Sequence, residues 1–399
     1  MSEQQFGKDV SIWIATTPET DYPALDGDLS CDALVIGGGI TGIVTAWRLQ
    51  SEGLNTVLIE KDRLVEYTTG NTTAKLTSQH YLVYHHLVED FGEETAKSFA
   101  IANQNAIDEI EDLSKALEID CDFTRRSAYV FTEDDTKIDE IKQEVVIAKK
   151  LGLPSSFETD IGLLSFDVKG AIKFAHQAQF HPRKFLLPLA ADFMKHGGHI
   201  YEQTEATDIK PGNPNVAETK RGRITAKYIV EAVKESFWQE KLFEQATWLK
   251  ISYALGMRLN GSYPQGMYIT MDEPLRSIRS HPYDDGQLLI FGGESHKLEG
   301  DLHEDEHYNN LLTDARRRFD VDTVVYHWLA GDVMPYDRMP YIGEYPDYPN
   351  VYVATGFRAW GLAWGVAAAG IITDKIMSRP VPWAEPFGLQ RLGTATPSG

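Results

Sequence analysis

The sequence predicts an α/β fold in which a nucleotide-binding parallel sheet is interrupted by a mainly antiparallel α+β module. Three features lead to this prediction. A strand, a glycine-rich turn, a helix and a second strand follow one another over residues 31–60. Residues 251–291 form strand after strand, broken by Gly, Pro and Asp. A strand and a glycine-rich helix start then return near the end, over residues 351–377.

The return of the glycine pattern indicates one discontinuous nucleotide-binding domain rather than two domains in series. We assign residues 1–83, 160–235 and 331–399 to this domain. Residues 84–159 and 236–330 are assigned to the inserted domain, which we expect to bind substrate. A chain of 399 residues is long enough for two cores.

Composition limits the partners of the chain. Asp and Glu number 59 against 38 Lys and Arg, for a net charge of -21. Nucleic acids and anionic membranes bind mainly through Lys and Arg, so we predict no nucleic-acid partner. The start lacks a signal-peptide pattern, and the apolar run 361–377 is short for a membrane span. With only Cys31 and Cys121, we expect a reduced, cytoplasmic protein with no membrane span.

A glycine-rich turn follows the first strand. Residues 37–42 read Gly-Gly-Gly-Ile-Thr-Gly and open a helix over about 40–51. Gly37 permits the tight turn, Gly39 lets the backbone approach a pyrophosphate, and Gly42 lets the helix pack on the strand. The pyrophosphate would lie at the helix N-terminus, where free N–H groups favour negative charge. The turn predicts a dinucleotide site that includes Gly37, Gly39, Ile40, Thr41 and Gly42.

An acidic residue ends the second strand of this unit. Glu60 lies about twenty residues beyond the turn, where a carboxylate can accept hydrogen bonds from the adenosine ribose. A carboxylate there disfavours a ribose 2′-phosphate, which argues against NADP. Glu60 and the adjacent Lys61 therefore join the predicted cofactor site.

A second glycine signature favours FAD over NAD. Residues 337–343 read DRMPYIG, and residues 351–361 read VYVATGFRAWG. A strand that leads through Gly356 into a helix near Gly361 offers another helix N-terminus, which suits the N1/C2=O edge of a reduced flavin. The predicted fold is therefore a Rossmann-type FAD-binding domain interrupted by a mainly antiparallel α+β substrate domain. An NAD-dependent dehydrogenase remains the alternative.

With two further motifs, GNTTAKLTSQH at 70–80 and QAQFHPRKFL at 177–186, the sequence resembles a known family. It is similar to the glycine oxidase and D-amino-acid oxidase-like FAD-dependent oxidoreductases over about residues 21–383. Within them it is most similar to the bacterial branch that is commonly fused to a C-terminal Rieske iron–sulfur domain.

The resemblance implies roles for further residues. The FAD pyrophosphate and ribityl chain would lie along Thr69, Gly70, Asn71, Thr72 and Thr73. The adenosine would be covered by the strand from Thr207 to Ile209. The flavin ring would be framed by Gly343, Gly356, Phe357, Arg358, Trp360 and Gly361. Near the ring, Lys75, His80 and Arg279 are the predicted catalytic residues.

The chain departs from that family in two places. Rieske clusters need paired Cys and His ligands, and the two cysteines lie in no such pattern, so we expect the iron–sulfur domain to be missing. The electron acceptor is therefore left open between oxygen, a quinone and a redox protein. Where the family has a small Ala-Thr-Gly-like or Ala-Thr-His-like strand end, this chain has Glu231 and Lys234, which would change one wall of the cofactor site.

Two other patterns carry competing interpretations. His303 to His307 matches the zinc motif H-E-x-x-H, but it lies in an acidic run at a helix start, so we predict no metal site. Arg276 and Arg279 are an odd number of residues apart on a strand, so only one of them could enter a site. An arginine there could hold a substrate carboxylate bidentately, or could belong to a salt-bridged strand face.

Together these features predict an FAD-dependent oxidoreductase that acts on a small molecule. We expect it to oxidise an amine or amino acid by hydride transfer to flavin N5. Besides the NAD-dependent dehydrogenase, the second alternative is a flavin-binding electron-transfer or interaction protein without amine oxidase activity.

Overall fold

A computed structural model describes residues 5–162, 166–300 and 302–392. The strands are β1 (Lys8–Asp9), β2 (Leu29–Ile36), β3 (Thr56–Ile59), β4 (Lys75–Leu76), β5 (Thr124–Thr132), β6 (Ser155–Glu158), β7 (Gly170–Gln179), β8 (His199–Tyr201), β9 (Ala206–Lys210), β10 (Asn215–Thr219), β11 (Gly222–Glu231), β12 (Thr247–Leu259), β13 (Met267–Thr270), β14 (Arg276–Tyr283), β15 (Gly286–Lys297), β16 (Val321–Pro335), β17 (Tyr341–Glu344) and β18 (Val351–Thr355). The α-helices are α1 (Ile12–Ala15), α2 (Ile40–Ser51), α3 (Tyr84–Phe91), α4 (Glu93–Ala116), α5 (Ile138–Lys150), α6 (Pro182–Lys195), α7 (Glu240–Glu244), α8 (Glu304–Arg318) and α9 (Gly361–Ile376).

The first of two sheets has eight strands in the order β17-β18-β11-β2-β3-β8, with β10 and β9 extending from β11. Strands β18, β11, β2, β3 and β8 pair parallel with one another, whereas β17 pairs antiparallel with β18 and β10 pairs antiparallel with β11. The central strands β2 and β3 are buried where they pair, with Val35 opposite Leu58, and every paired residue except Thr56 is apolar. Such strands are typical of a parallel sheet covered on both faces. The Rossmann-type prediction is confirmed.

The second sheet has ten strands, in the order β1-β16-β12-β15-β14-β13-β5-β7-β4 with β6 beside β7. Its long strands β12, β14, β15 and β16 pair antiparallel, while β1 with β16 and β13 with β5 are parallel. This mainly antiparallel sheet, with α8 packed against β12 and β15, is the predicted α+β module.

The sheets bear on the predicted domain boundaries without testing them. Strand β7 pairs with β5 and β4 in the ten-stranded sheet, although it lies within the segment 160–235 that we assigned to the cofactor domain. Strand β16 crosses the predicted boundary at residue 331 and belongs to the same sheet. A sequence pattern indicates where a strand forms but not which strands it pairs with. The segment limits therefore remain a proposal.

The stretch before β2 contains the short helix α1. Ser11 caps this helix by accepting a hydrogen bond from the Ile14 amide at 3.3 Å. Ile12 and Trp13 are buried, at 1% and 0% exposure, in the same core as the α2 side chains. The segment is therefore an integral part of the core.

The longest run of apolar residues near the end of the chain is the buried helix α9. It packs against α2 and α4. Within residues 5–162, 166–300 and 302–392, no helix combines the length and the apolar character needed to cross a bilayer.

Candidate active site

A cavity of about 590 Å³ opens at the carboxyl ends of the parallel strands. Ile36, Ile59 and Thr355, which end β2, β3 and β18, line it on one side. Ile251 of β12 and residues 329–333 of β16 line it on the side of the ten-stranded sheet. The carboxyl ends of parallel strands are where open α/β sheets bind ligands.

The glycine turn has the geometry that the sequence predicted. Gly37 has φ +113°, a conformation that L side chains rarely adopt. A Cβ on Gly42 would lie 1.8 Å from the Gly37 carbonyl oxygen, so α2 could not pack there with any side chain. Gly39 precedes the first residue of α2 and forms part of the cavity wall. The glycines thus leave the N-terminus of α2 open toward the cavity, where Thr69 Oγ1 accepts the Ile40 amide at 3.3 Å.

Glu60 is buried at the end of β3 and lines the cavity. Its Oε2 accepts the Gly38 amide at 2.6 Å, and its Oε1 accepts the Asp62 amide at 3.0 Å. Burial raises the pKa of this carboxyl, and the two amide hydrogen bonds oppose that effect. A carboxylate has about four acceptor positions, so Glu60 can still accept from a ribose hydroxyl.

The opposite end of the cavity is formed by the loop between β18 and α9. Gly356 has φ +76°, and a Cβ there would lie 2.8 Å from Pro335 Cγ. Arg358 also has a positive φ, +52°, and its amide donates to the Val333 carbonyl at 3.2 Å. Burial, followed by the nearby Arg338 charge, lowers the pKa of Arg358 to about 10. Gly361 brings the N-terminus of α9 into the cavity wall.

Most of the predicted cofactor residues meet in this cavity. Those that line it are Gly37, Gly39, Ile40, Thr41, Glu60, Lys61, Thr69, Asn71, Gly356, Phe357, Arg358 and Gly361. Eight other predicted residues are not among the described residues that line the cavity: Gly42, Gly70, Thr72, Thr73, Thr207, Ile209, Gly343 and Trp360. Gly42 contributes indirectly, because it allows α2 to pack close to the glycine turn. Gly70 packs against the backbone of Val65, since a Cβ there would lie 2.2 Å from the Val65 carbonyl oxygen.

The residues that line the cavity near the predicted adenosine segment lie a few positions before it. Thr204 and Ala206 line the cavity, together with Glu205 between them. They follow β8, which is parallel to β3 and ends at the same sheet edge. Thr207 and Ile209 belong to β9, which runs on into the antiparallel extension, where Ile209 is in a separate core cluster. The signal available in the sequence was the strand at 199–201, whose carboxyl end reaches this edge.

Lys75 is buried in β4 behind the cavity wall. Its Nζ donates to Ser277 Oγ and lies 3.3 Å from Thr73 Oγ1. Burial, and then the charge of Arg279, lower the pKa of Lys75 to about 7. Lys75 is not among the described residues that line the cavity, so its contact with a flavin ring remains a proposal.

His80 lies in a second, narrow space beside the loop of Phe357 and Arg358. Its ring is parallel to that of Trp360, with centroids 4.6 Å apart and planes 4° apart. Burial lowers the pKa of His80 to about 3, so the ring is neutral at neutral pH. Its Nε2 donates to the Thr77 carbonyl at 2.9 Å. His80 therefore packs against Trp360, and both side chains lie beside the loop between β18 and α9.

The two arginines of β14 point in opposite directions, as their spacing predicted. Arg276 forms ion pairs with Glu294 at 2.7 Å and with Asp314 at 2.9 Å. It therefore belongs to a salt-bridged strand face, one of the two roles considered for an arginine at this strand. Arg279 is fully buried and donates to the carbonyls of Thr73, at 3.2 Å, and Ala74. The Arg279 guanidinium is thus occupied by backbone acceptors, and these contacts do not support a carboxylate clamp.

One wall of the cavity carries both signs of charge, of which the sequence predicted Lys234 but not Asp332. Asp332 lines the cavity and is opposite Lys250 in the β12–β16 ladder. Lys234 also lines it, and a Cβ on Gly331 would lie 3.0 Å from its Nζ. Burial raises the pKa of Asp332 and lowers that of Lys250. Glu231, the other departure, is bonded instead to the Tyr345 hydroxyl at 2.6 Å.

The H-E-x-x-H pattern lies at the start of α8. His303 precedes the first helical residue, and His307 stacks at 4.6 Å on Tyr253 and on His296. Among the described residues, no three His, Cys, Asp or Glu side chains are grouped as metal ligands.

Comparison with known proteins gives the family. The family model of FAD-dependent oxidoreductases (DAO) matches residues 32–375. A putative Rieske 2Fe–2S iron–sulfur protein of Bacillus subtilis strain 168, YhfW, is 33% identical over 392 residues, which are 97% of this chain and 77% of that protein. The gamma-glutamylputrescine oxidoreductase of Escherichia coli K12 is 26% identical over 215 residues, 53% of this chain and 50% of that protein.

The fold is likewise found among solved structures. Glycine oxidase from Geobacillus kaustophilus aligns with a TM-score of 0.71 at 18% identity, over 91% of this chain and 99% of that chain. This chain therefore belongs to the family of FAD-dependent oxidoreductases (DAO), as the sequence predicted. The alternative of an NAD-dependent dehydrogenase is wrong.

The cavity fits FAD on its own geometry. Bare glycine backbone at Gly39 and the N-terminus of α2 suit a pyrophosphate. Glu60 suits an unphosphorylated ribose at one end, and the N-terminus of α9 at Gly361 suits the electron-rich edge of a flavin at the other. The required groups thus lie along one continuous cavity.

Proposed function

We propose that this protein oxidises an amine or amino acid at the carbon next to nitrogen. The observation that carries the proposal is the cavity itself, which continues beyond the dinucleotide-binding turn to polar and charged side chains at Arg358 and Asp332. A relative at 26% identity is named gamma-glutamylputrescine oxidoreductase, which supports this substrate class.

Bound FAD supplies a hydride acceptor at flavin N5. A substrate that arrives as an ammonium ion first releases a proton to solvent. The neutral amine then gives up a hydride from carbon and becomes an iminium ion, which releases a second proton to give the imine. Such a reaction needs orientation and a suitable electrostatic environment more than a strong base. We therefore assign no acid–base residue.

The chain's own residues would hold and orient the reactants. Gly39 and the start of α2 would bind the pyrophosphate, and Glu60 the ribose. Phe357, Ile251 and Leu329 would shield the reacting centre from water, because their side chains are apolar and line the cavity.

Asp332 and Arg358 are the charged groups best placed to meet the substrate. A carboxylate at Asp332 would attract a substrate ammonium group, and the Arg358 guanidinium would attract a carboxylate. Lys75 and the N-terminus of α9 would favour negative charge on a reduced flavin.

The proposal is tested by mixing the protein without oxygen with a panel of amines and amino acids. Bleaching of the visible flavin absorbance by an amine, and not by the matching 2-hydroxy acid, is the expected result. A protein that is bleached by dithionite but by no amine would be an electron-transfer or interaction protein instead. Re-oxidation of the bleached protein by oxygen, by a quinone or by a redox protein then identifies the acceptor.

A further inference from the structure

Behind the cavity wall, five consecutive peptide carbonyls are held by side chains from distant parts of the chain. The five residues are 70–74, a segment in which the sequence predicted cofactor contacts. Three of the bonds join Ser11 Oγ to the Gly70 carbonyl, Trp328 Nε1 to Asn71 at 2.9 Å, and Trp13 Nε1 to Thr72 at 2.6 Å. Arg279 holds the last two, Thr73 and Ala74.

The same arrangement extends to the beginning of the loop. Arg183 of α6 is fully buried, and its Nη1 donates to the carbonyls of Leu64 and Val65, at 3.0 Å each. Its other nitrogens bind the segment after α1, through Thr17 Oγ1 at 2.7 Å and the Pro18 carbonyl at 2.8 Å. Two buried guanidinium groups and the α1 segment thus form one support behind the loop 64–74.

The front of that loop forms the cavity wall. Thr68, Thr69 and Asn71 line the cavity, and Thr69 Oγ1 also accepts the amide of Ile40, the first residue of α2, at 3.3 Å. Because the carbonyl oxygens of residues 70–74 accept hydrogen bonds behind the loop, they point away from the cavity. The front of the loop is then left with fewer exposed carbonyl oxygens, which lowers the repulsion of an anionic ligand such as a pyrophosphate.

The hydrogen bonds to these loop carbonyls are expected to matter for the shape of the loop. A buried carbonyl left without its donor costs more than the net gain from a typical hydrogen bond. Ala74 has φ +54° and Val65 has φ +58°, conformations that non-glycine residues adopt only when their surroundings impose them. The support behind the loop is therefore expected to fix its shape.

We propose that Trp13 is a positioning residue for FAD, and that the α1 segment holds the loop 64–74 in its cofactor-binding shape. Trp13 reaches the loop through the Thr72 carbonyl and packs edge-on against His181 and His281, at 4.9 and 4.7 Å. This inference rests on FAD as the cofactor and not on the proposed amine substrate. It therefore can be tested with no substrate present.

The test compares Trp13→Phe with Trp47→Phe in the purified holoenzyme. Both changes keep an aromatic ring and remove one indole N–H donor, because Trp47 Nε1 donates to Asp192 Oδ2 at 2.8 Å. Trp13→Phe is expected to release FAD about fivefold faster after dilution and to alter the visible circular dichroism of the bound flavin. Trp47→Phe is expected to match the wild type in both measurements.

Two further variants keep the proposal testable if Trp13→Phe fails to fold. Ser11→Ala removes the donor to Gly70 with little loss of volume, and Trp328→Phe removes the donor to Asn71. Both should also speed FAD release and change the flavin circular dichroism. The proposal is overturned if these variants retain FAD as the wild type does, or if Trp47→Phe speeds release as much as they do.

Discussion

The Glu60 carboxylate accepts the Gly38 amide at 2.6 Å and so links the end of β3 to the glycine turn that follows β2. A Cβ on Gly38 would lie 2.4 Å from Leu64 Cδ2 and 3.1 Å from Glu60 Cβ, so a side chain there would have to displace Leu64. The acid and the turn therefore position each other before any ligand binds. We propose that this one residue serves both the turn and the ribose of the cofactor.

Glu60→Gln tests this double role. The amide keeps the shape and one acceptor, but it removes the charge from hydrogen bonds to a ribose, and charge-assisted bonds are the stronger kind. We expect FAD to bind about tenfold more weakly. Release of flavin fluorescence on dilution measures the change. Glu94→Gln, at an exposed position in α4, is the control, and equal effects of the two substitutions would contradict the assignment.

Gly42→Ala tests the packing of α2 on the turn. The new Cβ would meet the Gly37 carbonyl oxygen, a backbone atom that cannot move without opening the turn. We expect purified Gly42→Ala to contain little or no FAD per protein molecule. Gly261→Ala is the control, since a Cβ there meets nothing within 4 Å. Normal flavin content in Gly42→Ala would show that the turn tolerates the helix shift.

Lys75→Met tests the burial of an uncompensated cation. The pKa of Lys75 is about 7 in the folded protein, against an ordinary value of 10.5. Between these values the unfolded chain binds a proton that the native chain does not, so this residue makes stability rise with pH. The wild type should gain about 1 kcal/mol per pH unit relative to Lys75→Met between pH 7 and 9. Denaturant unfolding at both pH values measures it, and parallel pH dependence would refute the low pKa.

His80→Asn tests whether this histidine titrates during the reaction. Because burial lowers its pKa to about 3, His80 is already neutral across pH 5 to 8. The substitution should lower the rate of flavin bleaching severalfold by removing the ring that stacks on Trp360. It should leave the apparent pKa values of the pH profile unchanged. Loss of an apparent pKa between 5 and 8 in the variant would mean that His80 does titrate.

The parts of the site that the sequence predicted well are the local ones. The strand, turn, helix and acid from β2 to Glu60 form one contiguous unit, and each residue's role follows from its position in that unit. The helix start at Gly361 was found for the same reason. Spacing alone was enough because each of these contacts lies within a short stretch of chain.

The parts that the sequence missed depend on contacts across the fold. Arg279 looked like a substrate ligand, and only the tertiary structure places its guanidinium on the carbonyls of Thr73 and Ala74. Trp13 lies before the first predicted strand, and its partner Thr72 is far from it in sequence. A pattern along the chain carries no information on which distant carbonyl a buried donor will meet.

The most direct test of the proposed chemistry uses a substrate amine that bleaches the flavin without oxygen. The rate of bleaching is compared between that amine and the same amine carrying deuterium on the carbon next to nitrogen. We predict slower bleaching with deuterium, because that C–H bond breaks as the hydride leaves. Equal rates with the two amines, under conditions where bleaching itself is measured in a single turnover, would contradict rate-limiting C–H cleavage next to nitrogen.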